Sequence, residues 1–334
     1  MAQVDIAAAP LAPDWVTFRE SFGPRFLLTI DVEEEFDWLA PLDRKHHRTD
    51  TVPMIAKFIQ FCGTFDVKPI LLIDYPVAQS PAASDRLGEA IRAGNAEVGS
   101  QLHPWVNPPH EEEISNFNSF AGNLPEELER DKVLRLQDAL RKRFGVEPVI
   151  HRSGRYGAGP HTARILAEAG YAVDSSVRSH FDYRRWGGPD YRSHPVRPYW
   201  LDRAAGLFEL PLTTVFTGRL RRQAPALFRY VEHLKPVPAL LARAGLMERI
   251  ALTPEGISLP EVLRGIDAAL GDGLDLLVFS FHSPSLVPGN TPYVRTDAHV
   301  DELYDWWRGV FGHLAAYGVR PTTLAETMNS VALA

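Results

Sequence analysis

Carboxylate and imidazole side chains recur at the ends of short apolar segments of this chain. Asp31 and Glu33 end the segment FLLTIDVE, His103 ends AEVGSQLH, and His282 ends LLVFSFH. Because strand side chains alternate between two faces, residues two apart, such as Asp31 and Glu33, point the same way. Carboxylates and imidazoles that meet in one place can bind a divalent metal ion and supply a base and an acid.

The same spacing of two picks out further pairs at strand ends, namely Gln101 with His103, Asp174 with Ser176, and Ser280 with His282. Taken singly, an aspartate at a strand end usually caps the next helix, and a histidine is usually a hydrogen-bonded core residue. Their joint placement at several strand ends is therefore what favours a functional site.

The predicted strands and helices that must position these residues alternate regularly along the chain. Short segments rich in Val, Ile, Leu and Phe predict buried parallel strands at 26–33, 68–76, 96–103, 147–154, 171–176, 207–213, 276–282 and 320–324. Helical patterns lie between them at 84–93, 125–144 and 161–169. This alternation predicts an α/β fold, and polar residues at nearly every strand end favour a (β/α) barrel of about seven parallel strands.

Two segments interrupt this alternation of strands and helices. Residues 178–206 predict a long loop dense in aromatic residues and arginines, and residues 218–252 predict a helical insertion around Pro236 and Pro238. We expect residues 1–334 to form one domain with a core of about 24–328. The one cysteine, Cys62, lies in an apolar setting and is expected to be buried.

Composition narrows the class of function. A net charge of -7 argues against a general nucleic-acid binder, and no nucleotide-binding glycine motif follows a strand. The N-terminus lacks the pattern of a secretory signal, and no segment reaches the roughly 20 apolar residues of a membrane span. We therefore expect a cytoplasmic protein without a transmembrane segment.

Five segments in order resemble the motifs of the polysaccharide deacetylase family, the chitooligosaccharide-deacetylase homology domain. They are LTIDVEEEFDW, EVGSQLHPWVNPP, HRSGRYG, YAVDSS and FSFHSPSLVPGNTPY. The variant they resemble most is the WalW-like group associated with bacterial exopolysaccharide synthesis. The resemblance spans residues 26 to about 324 and implies a distorted (β/α) barrel that is usually seven-stranded.

The resemblance also implies roles for individual residues. Asp31 would be the base, His282 the acid that protonates the leaving group, and Arg152 the residue that orients the base. Asp174 would act indirectly around the histidine or the arginine. A divalent metal ion, expected to be zinc, would be held by Glu33 and His103. The expected substrate-binding residues are Gln101, Trp105, Arg155, Tyr156 and Tyr293.

The sequence departs from the family pattern at the metal site. Val32 stands where a second aspartate is usual, and Gln101 and Trp105 stand where the family has two histidines. An amide oxygen is a poor zinc ligand compared with imidazole. His110 is an alternative ligand, although a surface position is the more ordinary expectation for it.

Three functions follow for this arrangement. The first is a metal-dependent hydrolase that removes acetyl groups from an N- or O-acylated glycan or a polysaccharide precursor. The second, motivated by Gln101, is a metal-free barrel, either a C–N amide hydrolase or a sugar-binding or scaffold protein of polysaccharide assembly. A glycosidase is disfavoured because its paired carboxylates usually come from different strands. Glu34, Glu35 and Asp37 are expected to be solvated or helix-capping.

Overall fold

The computed structural model describes residues 4–38 and 40–332. Its strands are β1 (Arg25–Val32), β2 (Ile70–Ile73), β3 (Glu97–Leu102), β4 (Ile150–Ser153), β5 (Val173–Asp174), β6 (Tyr199–Asp202), β7 (Leu207–Glu209), β8 (Thr214–Thr217), β9 (Glu248–Ala251), β10 (Leu276–His282) and β11 (Arg320–Pro321). Each predicted strand segment contains one of these strands. Strands β1 and β10 match their predicted lengths, whereas the other observed strands are shorter than their segments.

The helices lie between the strands, as the sequence predicts. They are α1 (Val52–Gly63), α2 (Tyr75–Gln79), α3 (Pro81–Arg92), α4 (Glu126–Phe144), α5 (Thr162–Glu168), α6 (Ala224–Leu227), α7 (Val237–Arg243), α8 (Leu259–Gly271), α9 (Asp297–Ala316) and α10 (Leu324–Asn329). Helix α4 has acidic residues in its first turn and basic residues in its last, which complements the helix dipole. It ends at Gly145, whose φ of 70° is the left-handed conformation that favours glycine.

Seven of these strands form a continuous parallel sheet in the order β10-β1-β2-β3-β4-β5-β7. Strand β6 pairs antiparallel with β7, and β11 pairs with β1. Apolar side chains that include Phe279, Phe281 and Trp307 pack in the main core. The predicted class, an α/β barrel of about seven parallel strands, is confirmed.

The gap between β7 and β10 is bridged by the chain that enters and leaves an antiparallel ribbon, β8–β9. The Thr213 amide donates to the Val278 carbonyl at 3.2 Å, and the Ser280 amide donates to the Leu252 carbonyl at 3.2 Å. These bonds attach both ends of the ribbon to β10. The barrel is therefore closed by a loop and a ribbon, and its distortion is concentrated there.

The insertion differs in part from the prediction. Residues 218–252 contain the short helices α6 and α7 but end in strand β9. The prediction of helices alone was wrong for β9. The strand that pairs with β9 lies about thirty residues earlier in the chain, so no local pattern indicates it. Likewise, the loop 178–206 contains strand β6, which pairs with β7.

The buried apolar cluster takes in Ile6 and Val331, beyond the predicted core of 24–328. That residues 1–334 form one domain stays a prediction. Cys62 is fully buried, as expected. None of the helices in the described residues is both long enough and apolar enough to span a membrane.

Strand β3 passes so close to its neighbours that it needs a glycine. A Cβ on Gly99 would lie 2.5 Å from side-chain atoms of both Leu72 and Ile150. We expect Gly99→Ala to lower the free energy of unfolding by about 1–3 kcal/mol, because the two neighbouring strands must separate. Urea denaturation measures this change.

The matched control is Gly63→Ala at the end of α1, where a Cβ meets nothing within 4 Å. That variant should be neutral or gain up to about 1 kcal/mol from helix propensity. Equal destabilisation of both variants would contradict the packing explanation.

Candidate active site

Strands β1, β3, β4 and β10 bring the predicted residues to one end of the sheet. Asp31 lies opposite His282 in the β1–β10 register, and Gln101 lies opposite Arg152 in the β3–β4 register. A cavity of about 880 Å³ opens over these positions. Ten of the predicted site residues line it: Asp31, Glu33, Gln101, His103, Trp105, Arg152, Arg155, Tyr156, His282 and Tyr293.

Asp31 is held by a buried arginine. The Arg152 guanidinium donates to Asp31 Oδ1, to the Thr29 hydroxyl at 3.0 Å, and to the Ser175 carbonyl at 2.9 Å. Arg152 and Asp31 are each only 1% exposed. Arg152 therefore fixes the orientation of the Asp31 carboxylate, and the other carboxylate oxygen is left to face the cavity.

His282 is held by a carboxylate that the sequence analysis missed. Its Nδ1 lies 2.7 Å from Glu255 Oε2, and its backbone amide donates to Glu255 Oε1 at 3.1 Å. Its Nε2 lies 3.7 Å from Asp31 Oδ2. Burial alone would lower the pKa of His282, but Glu255, with Glu33 and Asp31, raises this pKa to about 10. The imidazole is therefore cationic at neutral pH and can donate a proton.

Glu33, Gln101 and His103 meet beside this pair. The Gln101 side-chain amide donates to Glu33 Oε2 at 3.2 Å, and His103 Nε2 lies 3.5 Å from the same oxygen. Glu33 Oε1 and Gln101 Oε1 are buried and have no hydrogen-bond partner among the described residues. Burial raises the pKa of Glu33 to about 8. The three side chains thus gather oxygen and nitrogen atoms that the protein itself does not fully satisfy.

Glu34 orients the His103 ring from behind. Its Oε2 lies 2.8 Å from His103 Nδ1, and its Oε1 accepts from the Trp105 indole at 3.0 Å. The Trp105 ring stacks on the His103 ring with centroids 4.3 Å apart. A proton on Nδ1, shared with Glu34, leaves the lone pair of Nε2 directed at Glu33. Gly154 is needed alongside, since a Cβ there would lie 2.2 Å from His103 Cδ2.

This donor set fits a divalent metal ion. Zinc ligands at 2.0–2.2 Å in tetrahedral geometry lie about 3.4 Å from one another. The 3.5 Å separation between Glu33 Oε2 and His103 Nε2 is close to that spacing. A carboxylate behind the Nδ1 of a ligating histidine, as Glu34 is here, is the usual outer support of such a site. The two unpartnered oxygens of Glu33 and Gln101 add to the fit.

A second group with metal-binding potential overlaps the first. Glu34, Asp74 and His103 offer ligand atoms within 4.8 Å of one another, and all three are buried. However, Asp74 Oδ2 accepts from the Glu34 amide at 2.6 Å, and its Oδ1 accepts from the Val77 amide at 2.8 Å at the start of α2. Burial raises the pKa of Asp74 well above its usual range. These contacts make Asp74 a support for Glu34.

Asp174 lies outside the cavity. Its Oδ1 accepts from the Ser176 hydroxyl at 2.7 Å, and that hydroxyl accepts from the Ser153 amide at 2.8 Å. Burial and the adjacent Asp174 charge raise the pKa of its neighbour Glu209 well above the usual range. Among the described residues Asp174 forms no ion pair with Arg152 or His282. Its contacts support the β4 backbone, and its predicted catalytic role stays a prediction.

The acidic residues after Glu33 differ from the expectation of solvated groups. Glu34 is fully buried against His103, as described above. Glu35 is also buried and accepts from the Asp50 amide at 3.0 Å and the Thr51 amide at 2.6 Å, just before α1. The expectation was therefore wrong for the solvation of Glu34, whereas Glu35 does support a helix start. His110 is exposed and is not part of the cavity wall.

Aromatic rings form the rest of the cavity wall. Tyr293 is 42% exposed, and its ring lies 6.0 Å from that of Trp38, which meets the His282 ring edge-on at 5.1 Å. Tyr156 and Trp105 are mostly buried, at 8% and 3% exposure. Tyr293 and Trp38 thus offer apolar faces to a ligand, whereas Trp105 mainly supports His103.

No protein-family model matches this chain, and no curated protein matches it. Several solved structures are similar. A candidate polysaccharide deacetylase from Mycobacterium smegmatis is 17% identical, with a TM-score of 0.51, and the match covers 94% of this chain and 98% of that one. This chain shares its fold.

Two further structures are less similar. A candidate polysaccharide deacetylase from Pseudomonas aeruginosa PAO1 is 15% identical, with a TM-score of 0.47 and coverage of 93% and 91% of the two chains. A CE4 family pseudoenzyme from Bacillus anthracis is 9% identical, with a TM-score of 0.43 and coverage of 95% and 70%. At these identities a likeness concerns the fold, and no residue's role follows from it.

The contact between Glu255 and His282 predicts the effect of removing one charge. We expect Glu255→Gln to lower the pKa of His282 from about 10 toward its ordinary value of 6.5, because the principal stabilising anion is lost. At pH 8 the imidazole would then be mostly neutral. A pH titration of the histidine ring signals by NMR measures this shift.

Glu302→Gln, at an exposed position on α9, is the control and should leave the His282 titration unchanged. A His282 pKa that stays near 10 in Glu255→Gln would mean that Asp31 and Glu33 carry the effect.

Proposed function

We propose that this protein is a metal-dependent hydrolase that removes an acyl group, such as acetyl, from an N- or O-acylated sugar or polysaccharide precursor. The observation that carries the proposal is the pair Asp31 and His282. One is a carboxylate oriented by Arg152 and the other is a cationic imidazole held by Glu255, and they meet in one cavity. The fold shared with a candidate polysaccharide deacetylase supports it by analogy.

The two residues divide the proton transfers of hydrolysis. Asp31, with one oxygen bound by Arg152, is placed to accept the proton of an attacking water through its other oxygen. His282 then donates its Nε2 proton to the nitrogen or oxygen of the departing sugar. Hydrolysis of an amide needs this donation, because an unprotonated amine anion is a very poor leaving group.

Glu33 and His103 would hold the metal ion, which we propose to be zinc, with the Gln101 amide oxygen as a weaker third ligand. When bound, a divalent ion polarises the acyl carbonyl and lowers the pKa of water. Trp38 and Tyr293, beside His282, offer faces on which a sugar ring can stack. This arrangement supports a carbohydrate as the substrate.

Substitution of the two proton-transfer residues tests the proposal. We expect Asp31→Asn and His282→Ala each to lower the rate of acetate release by about 10²–10⁴-fold, the usual contribution of a general base or acid. Acetate release from a panel of N- and O-acetylated sugars and oligosaccharides provides the measurement. Asp50→Asn, at an exposed carboxylate, is the control. Full activity of both variants on the best substrate would overturn the assignment.

Measurement of the metal content of the protein tests the proposed metal dependence. We expect protein purified without chelators to contain about one divalent ion per chain by mass spectrometry, and His103→Ala to lose it. Glu34→Gln should weaken the affinity for zinc by about 10–100-fold, because His103 loses the carboxylate that fixes its ring. Competition with a chromophoric chelator measures the affinity, with Glu113→Gln on an exposed loop as the control.

A second function is favoured by Gln101 itself. Its amide already donates to Glu33, and burial raises the pKa of Glu33 to about 8, so the acid can stay neutral without a cation. A chain with no bound metal that still cleaves an amide would be a metal-free C–N hydrolase. A chain without metal or activity that binds sugars would be a sugar-binding or scaffold protein.

A further inference from the structure

Several arginines in the cavity floor and on nearby segments have a carboxylate partner. Arg152 is paired with Asp31 in the cavity floor. The loop 178–206 and the insertion contribute further pairs, among them Arg184 with Asp182, Arg192 with Asp190, and Arg249 with Glu232. The positive charges of these arginines are therefore neutralised within the protein.

Arg155 and Arg178 line the cavity and are exceptions to this pattern. Neither forms an ion pair with a carboxylate in the part of the chain that the structure describes. The Arg178 guanidinium lies 4.0 Å from the Phe181 ring centre and 5.3 Å from that of Tyr156. The Arg155 guanidinium donates to the Asn116 and Ser119 side chains and lies 4.6 Å from the Phe120 ring centre. Both positive charges are held by neutral groups.

The other charged groups of the cavity do not offset them. Asp31 is neutralised by Arg152, and Glu255 is neutralised by the cationic His282. Glu33 is the remaining carboxylate of the wall, and a bound metal ion would more than balance it. The cavity therefore carries an excess of positive charge from Arg155 and Arg178.

The backbone is strained at Arg155 and close to Arg178. Arg155 and Tyr156 have φ values of 55° and 62°, and His180, two residues after Arg178, has a φ of 70°. Left-handed backbone at a residue other than glycine costs free energy and persists where the surrounding structure enforces it. Here it accompanies the turns from which Arg155, Tyr156 and Arg178 reach the cavity wall.

We propose that the acylated sugar accepted by this cavity carries an anionic group, a carboxylate or a phosphate, and that Arg178 binds this group while Arg155 adds a second positive charge. A planar guanidinium binds carboxylate and phosphate oxygens with two parallel hydrogen bonds. Tyr156 lies against Arg178 and lines the same cavity as Asp31. The identity of the cleaved bond rests on the proposed function, whereas binding of the anion does not.

Calorimetric titration of the full chain, as purified with its metal, tests the proposal. The probes are N-acetylglucosamine, N-acetylglucosamine 1-phosphate and N-acetylglucosaminuronic acid, which distinguish a phosphate from a carboxylate. We expect at least one anionic probe to bind roughly tenfold or more tightly than the neutral sugar. Arg178→Gln should reduce this anionic-to-neutral ratio by about 10- to 100-fold, as expected for loss of a charged hydrogen bond.

Two further variants make the result interpretable. Arg178→Lys should keep part of the ratio, because it retains the charge but not the paired donors. Arg185→Gln should leave the ratio unchanged, because Arg185 is exposed in the same loop, where it stacks on Trp186. Should Arg178→Gln fail to fold, Arg155→Gln gives the same test with a smaller expected loss.

The proposal is overturned if both anionic probes bind no better than the neutral sugar, or if neither binds measurably. It is also overturned if the ratio survives Arg178→Gln, since the anion would then be held elsewhere, for example at the metal. Repeating the titration with Asp31→Asn separates the two proposals. Asp31→Asn should lose acetate release and keep the anion preference, whereas an anion preference in the unsubstituted protein without acetate release from any probe would remove the hydrolase function and leave the anion site.

Discussion

The buried guanidinium of Arg152 is the group around which the rest of the site is arranged. It binds Thr29 and Asp31 of β1 and the chain just after β5, so one side chain of β4 joins three parts of the barrel wall. A buried cation is tolerated only when it is paired and fully hydrogen-bonded. Asp31 is therefore both the counter-ion that stabilises this part of the barrel and a carboxylate 3.7 Å from His282 Nε2. The stability of this part of the barrel and the proposed chemistry therefore both depend on the Arg152–Asp31 pair.

Two histidines beside that pair differ in the direction in which their surroundings shift the pKa. Each has its Nδ1 against a glutamate, Glu34 for His103 and Glu255 for His282, and each directs Nε2 toward the cavity. Burial lowers the pKa of His103, whereas the surrounding carboxylates overcome burial and raise the pKa of His282. A neutral imidazole suits metal binding and a cationic one suits proton donation. The different surroundings of His103 and His282 therefore suit the two imidazoles to different roles in the proposed reaction.

Strand alternation and the family resemblance together predicted ten of the residues that line the cavity. Alternation placed Asp31 and Glu33 on one side, and the ends of β3 and β10 supplied His103 and His282. Glu34 could not be found this way, since alternation predicts that it points away from Asp31 and Glu33. Glu255 was missed because its position depends on the long-range pairing of β8 with β9. The turn Pro254-Glu255-Gly256 after an apolar segment was the one available signal.

The position of Glu255 just after the β8–β9 ribbon has a consequence for the evolution and engineering of this site. Glu255 follows the ribbon by only four residues, so the carboxylate that raises the proton affinity of His282 most belongs to an accessory segment. A graft that exchanged residues 214–255 between related barrels would also exchange the carboxylate that pairs with His282. Lengthening or shortening the segment would retune the histidine without touching any residue of the parallel sheet. Changes to the segment that carries Glu255 must therefore remain compatible with His282 on β10.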